Sequence, residues 1–201
     1  VVHSNFERGF SPRMLFDGVD DRVMLGSAIS FGTSDFTASA SIVLTDLTGS
    51  FILANTVNYW LMLVDAGGDT VSIRATNAAI YTFTLDSTLN INEVTQLKLK
   101  RVNNNISLYV NSLLQADQVT CGSSDEFGVD RVGYRSGTAP MSGIIYNVNI
   151  NDQASYRGYG VDDWQDQIGS NNGTVIGGEN YPLLARADDP TTDVAGSPTQ
   201  W

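Results

Sequence analysis

TQLKLKRVNNNISLYV, residues 95–110, carries the pattern that decides the fold. Leu97 and Leu99 alternate with Lys98 and Lys100. Beyond Asn103-Asn104-Asn105, Ile106, Leu108 and Val110 alternate with Ser107 and Tyr109. A period of two sends successive side chains to opposite faces of a strand, and a run of asparagines between two such stretches supplies turn residues. The stretch is predicted to be a β-hairpin with one apolar and one polar face.

The same period extends outward in both directions. FTASASIVL (36–44) puts Phe36, Ala38, Ala40, Ile42 and Leu44 on one face, and AIYTFTL (79–85) gathers Tyr81, Phe83 and Leu85. GIIYNVNI (143–150) aligns Ile144, Tyr146, Val148 and Ile150. VNYWLMLV (57–64) is almost continuously apolar, as a central strand covered on both faces would be. Glycine- and asparagine-rich turns such as DAGGD (65–69), CGSSDEFG (121–128) and RSGTAP (135–140) separate the runs, and no stretch shows a period of 3.6. Roughly ten short strands without intervening helices predict an all-β, two-sheet antiparallel jelly-roll sandwich.

Three regions are expected: an arm over 1–12, the sandwich over 13–152, and an irregular C-terminal extension over 153–201. The extension is rich in Gly, Asn, Asp and Pro, with at most one helical turn at 162–168 and a short strand at 174–176. Its Tyr156, Tyr159, Trp164, Tyr181 and Trp201 are too many aromatics for a solvated linker. They are expected to fold back on the sandwich or to serve assembly with a neighbouring subunit, and a homo-oligomer is anticipated.

Charge narrows the partners. Twenty-two acids oppose eleven bases, for a net charge of −11 and a pI near 4.2. Such a field repels phosphate backbones and anionic lipid, so neither nucleic acid nor a membrane is expected as a partner. No apolar run approaches the roughly 18 residues of a membrane span. Cys121 is the single cysteine, which excludes a disulfide within the chain and a thiolate metal cluster.

Catalytic constellations are missing from the sequence. The one histidine, His3, lies in the arm, and Cys121 has no histidine near it, so nucleophile–base chemistry has no foundation. Glu7, Glu93, Glu126 and Glu179 are isolated, and the tightest acid cluster, DDWQD (162–166), falls in the extension. Glycoside hydrolysis requires two carboxyl groups facing across the sugar, so the chain is expected not to be an enzyme. Calcium is the one cofactor the acids admit, because it takes hard oxygens from carboxylates and loops. Asp17, Asp20 and Asp21 are the metal candidates; the alternative is that aspartates around a DG turn bond their own backbone. For sugar binding, Tyr59, Trp60, Arg74, Asn77 and Tyr81 combine aromatic, amide and cationic groups in the middle strands. Against them stands the tendency of strand aromatics to be core.

The order of motifs resembles the laminin G-like branch of the concanavalin A-like lectin/glucanase superfold. Phe16-Asp17-Gly18-Val19-Asp20-Asp21-Arg22-Val23 is similar to that family's opening strand, and Asp35-Phe36-Thr37-Ala38-Ser39 to the next. Ser107-Leu108-Tyr109-Val110-Asn111-Ser112, Arg131-Val132-Gly133-Tyr134 and the segment from Met141 to Ile150 follow in the family's order. The resemblance implies a jelly roll that binds glycans or proteins, sometimes with calcium at the sandwich rim. The hydrolase members' E-x-D-x-x-E motif is absent, and Tyr146-Asn147 stand where an acidic pair often helps hold calcium. The tract from Tyr156 to Val175 is similar to segments of bacteriophage tail and fibre proteins. It implies a virion-surface or otherwise extracellular setting, with a host glycan or other subunits of the particle as partners.

Overall fold

The computed structural model describes residues 13–56, 59–135, 139–158, 164–177 and 179–181. His3, Glu7, the arm, Tyr159 and Trp201 therefore lie outside the described residues, as does the side chain of Tyr181. Among the described residues there is no helix, and so none long and apolar enough to cross a membrane.

In chain order the strands are β1 (Arg13–Asp17), β2 (Arg22–Gly32), β3 (Phe36–Leu44), β4 (Ser50–Ala54) and β5 (Trp60–Val64). Then come β6 (Thr70–Arg74), β7 (Ile80–Thr84), β8 (Thr95–Val102), β9 (Asn105–Val110) and β10 (Leu113–Thr120). The last are β11 (Phe127–Val132), β12 (Ser142–Ile150), β13 (Ala154–Tyr156), β14 (Gly173–Ile176) and β15 (Glu179–Tyr181). They form two antiparallel sheets. One runs β10-β9-β8-β3-β12-β1-β15, with β13 also on β12; the other runs β14-β2-β11-β4-β5-β6-β7.

The 95–110 stretch is the predicted hairpin, with Leu99 opposite Leu108 and Lys98 opposite Tyr109. Its apolar face, with Phe36, Ala38, Ala40 and Ile42 of β3, meets Ile52, Leu61, Val71, Ile73 and Phe83 of the second sheet in one core. Phe36 joins the layers, stacked on Phe31 at 4.6 Å and tilted against Phe127 at 5.6 Å. β5 is interior and covered on both faces, which explains its unbroken apolar run.

One alternation fails. In β12 the buried residues are Gly143, Ile145, Val148 and Ile150, so Ile144 and Tyr146 do not share a face with Val148. A bulge between Ile145 and Asn147 inserts one residue and flips the phase. Gly143 permits the close approach to β3. Its φ is +140°, and a Cβ there would lie 1.9 Å from the Val43 carbonyl oxygen.

Residues beyond 152 add strands to both sheets: β13 pairs with β12, β14 with β2 and β15 with β1. Of the two roles expected for the extension's aromatics, Tyr156 and Trp164 take the first: they fold back into the chain's own core and are not exposed for assembly. Trp164 meets Phe16 edge-on at 6.3 Å and Tyr156 at 6.1 Å, while the Tyr156 hydroxyl donates to the Asn171 carbonyl. Burying two large aromatics against the first strand satisfies them without a second subunit.

Candidate functional site

The faces of β3, β8, β9 and β12 that point away from the core are polar. Register carries one row across all four strands: Asn149 beside Ser39, Ser39 beside Lys98, and Lys98 beside Tyr109. A second row joins Asn147, Ser41 and Gln96; a third joins Thr37, Lys100 and Ser107. Over this face lies a groove of about 590 Å³, within the range of small-ligand sites. Thr37, Ser39, Gln96, Lys98, Tyr109 and Asn149 line it from the strands, and Ser112 and Asp152 from turns at its margins.

Both turns are held by an asparagine that donates through its backbone N–H and accepts through its side-chain oxygen. Asn111 donates its N–H to the Gln96 carbonyl and accepts from the Gln96 N–H at 2.8 Å, which sets the corner that presents Ser112. Asn151 donates to the Thr37 carbonyl at 2.7 Å and accepts from the Thr37 N–H at 3.2 Å, which fixes the turn carrying Asp152. Lys98 Nζ lies 5.6 Å from the centre of the Tyr109 ring, a cation–π distance. The groove thus offers hydroxyls, two amides, one ammonium, one carboxylate and a half-buried aromatic ring. Such a set can donate to and accept from many hydroxyls while one ring packs on C–H groups.

None of these residues belonged to the set expected from the sequence. Of that set, Trp60 is 6% exposed, edge-on to Phe51 at 5.4 Å, with its indole N–H aimed at Ser72 Oγ at 3.4 Å. The guanidiniums of Arg74 and Arg135 lie over its ring at 5.3 and 4.9 Å. It is an enclosed aromatic, not a platform for a sugar. Asn77 and Tyr81 are elsewhere, both donating to the buried Asp125 carboxylate, Asn77 at 2.6 Å. Burial pushes that carboxyl up, but Tyr81, the Gly122 N–H, Asn77 and Arg101 outweigh it and hold it below the usual range. Tyr59 is half-buried, its hydroxyl pushed up by burial and then by Asp130 and Glu126. Arg74 meets Trp60, Asn77 and Tyr81 meet at Asp125, and none of the five lines the groove.

Asp17, Asp20 and Asp21 do converge, with one oxygen from each carboxylate within 4.8 Å of the others. The Asp17 carboxylate accepts from the Val19 N–H at 2.8 Å and that of Asp21 from the Asp17 N–H at 2.9 Å. These are the bonds of a DG turn whose aspartates bond their own backbone, the alternative to a metal site. Three hard oxygen donors also suit calcium in kind, though they are only part of the six to eight it takes. They lie far from the groove. Asp17 pairs with Ser142, and Asn149 is seven residues further along β12 (149 − 142), on the order of 20 Å at the strand rise.

No protein-family profile matches the chain, and no curated protein sequence matches it. Solved structures do. A candidate carbohydrate-binding protein from Bacteroides ovatus superposes with a TM-score of 0.62 at 16% identity, over 87% of this chain and 61% of its own. The mouse laminin alpha-1 fourth and fifth LG domains give 0.60 at 13% identity, over 85% and 46%. A heptameric SAP-like pentraxin from Limulus polyphemus gives 0.56 at 9%, over 70% and 75%. The chain therefore spans less than two thirds of the first two. At such identities the likeness establishes the fold: this chain is a two-sheet antiparallel jelly roll, an architecture it shares with the laminin LG domains and the pentraxin.

Proposed function

We propose that the chain is a non-enzymatic, extracellular carbohydrate-binding module whose site is the groove on β3, β8, β9 and β12. The observation that carries this reading is the row Asn149–Ser39–Lys98–Tyr109, which places amide, hydroxyl, ammonium and ring side by side. The B. ovatus protein's description and shared fold support it. Asp152 is the one carboxylate lining the groove among the described residues, whereas glycoside hydrolysis uses two, which favours binding over cleavage. Sugar binding here needs no metal, since the Asp17–Asp20–Asp21 cluster is remote; calcium, where bound, would be held by those three and steady the β1–β2 turn.

A virion-surface setting rests on the resemblance of the tract from Tyr156 to Val175. Much of that tract's composition has a local cause, because Tyr156, Trp164, Asp166 and Asn171 build the chain's own packing.

A glycan array with and without chelator tests the proposal. Binding is expected in both conditions and is expected to be lost in Tyr109→Ala and Asn149→Ala. Binding that survives both substitutions would move the site elsewhere, and none on any glycan would remove the function.

A further inference from the structure

The chain holds 22 acids and only two lysines, and both lysines sit on the groove face of one strand, Lys98 and Lys100. Their surroundings are as unusual for this chain as they are. β3, β8, β9 and β12, the four strands beneath the groove, contain no Asp or Glu. Lys98 is flanked in register by Ser39 and Tyr109, and Lys100 by Thr37 and Ser107. Among the described residues neither ammonium has a carboxylate within 4.0 Å. A strongly acidic molecule has left these four strands without acids and placed both its lysines on one of them, with Asp152 the one carboxylate at the groove among the described residues.

From this we infer that the groove selects saccharides bearing an anionic group, a carboxylate or a sulfate ester. The inference rests on the groove being a saccharide site and names its ligand class. Lys98 meets the anion, held over the Tyr109 ring, and Lys100 adds to the local field from the adjoining row. The amides of Gln96 and Asn149, the Ser39 hydroxyl and the Asp152 carboxylate serve the sugar's hydroxyls. One carboxylate at the groove's margin does not cancel the selection, because an acidic sugar also presents several hydroxyls that need acceptors. A lysine gives a point charge rather than a planar fork, so it suits carboxylate and sulfate alike.

Calorimetric titration against two matched pairs tests this: oligogalacturonate against its methyl ester, and dextran sulfate against dextran. The charged member of at least one pair is expected to bind more tightly by about two- to five-fold, the scale of one exposed ion pair. Which pair shows the preference tells carboxylate from sulfate. The preference is expected to fall toward unity in Lys98→Gln and to shrink as salt is raised. Thermal melting of Lys98→Gln is expected to match the parent, since that side chain is exposed. Equal binding within both pairs, or binding confined to neutral members or to neutral sugars on the array, overturns the selectivity and leaves the saccharide site standing. A charge preference that persists in Lys98→Gln overturns the assignment to this groove. Failure to bind any of the four, together with an empty array, overturns both proposals.

Discussion

At the level of single residues, position in the register decides what an aromatic can do. Trp60 and Tyr109 both lie in strands, yet Trp60 is covered and Tyr109 flanks an open groove. Trp60→Ala is therefore expected to lower stability, by about 3 kcal/mol or more in chemical denaturation, as for other buried large-to-small changes. Residual folded protein is expected to keep its sugar binding. Gly177 supplies a different test. Its φ is +71°, and a Cβ there would stand 2.3 Å from an oxygen of Asp21, the carboxylate that caps the Asp17 N–H. Gly177→Ala is expected to lose about 1–3 kcal/mol through strain and displacement of Asp21, with binding in the groove unchanged. The role of Asp17 as a turn former was legible from its place before Gly18. That of Asp21 as acceptor for the Asp17 N–H was not, because nothing local announces which of two adjacent carboxylates turns inward.

At the level of elements, alternation marked the strands of the 95–110 hairpin and the buried face of β3, since period two is a local property of the chain. It misread β12, where one inserted residue exchanges the faces after Ile145. It also missed the groove. Thr37, Ser39, Lys98 and Tyr109 were identifiable as outward residues, but any solvated sheet face looks like that. Only the long-range order β9-β8-β3-β12 brings them together. The nearest signal was the hairpin itself, which already sets Lys98 beside Tyr109. The short strand expected at 174–176 is β14, but the extension's irregular composition concealed β13 and β15, because such short strands depend on strands laid down far earlier. β14 covers the edge of β2, and Trp164 braces it against Phe16. Trp164→Ala is expected to lose about 3–5 kcal/mol. Hydrogen exchange should show the largest gain in β14 and the facing part of β2, with the hairpin still protected. Uniform loss of protection would mean that the segment is integral to a single cooperative unit.

At the level of the whole molecule, charge acts in two opposing ways, and the two are separable by salt and by pH. A net charge of −11 repels itself, so raising ionic strength at neutral pH is expected to raise the thermal midpoint by screening. The same salt is expected to weaken an anionic saccharide at Lys98, so loss of binding would accompany greater stability and could not be attributed to unfolding. Acid works through particular carboxyls. Asp125 and Asp166 are both held below their ordinary values: burial raises each, but hydrogen bonds outweigh it, from Tyr81, Gly122 and Asn77 for the first. For the second they come from the backbone N–H groups of Ser155, Ile168, Asn171 and Gly169. A carboxyl depressed in the folded state contributes stability that is fully present above its unfolded value, roughly pH 4. That contribution is lost as pH falls through the folded value. The midpoint is thus expected to hold steady down to about pH 5 and to decline below roughly pH 4. In Asp125→Asn and Asp166→Asn the protein should be less stable at pH 7, and the decline below pH 4 should be shallower. A decline of unchanged steepness in both variants would assign acid unfolding to other carboxyls, and would show that these two clamps hold the sandwich without governing its response to pH.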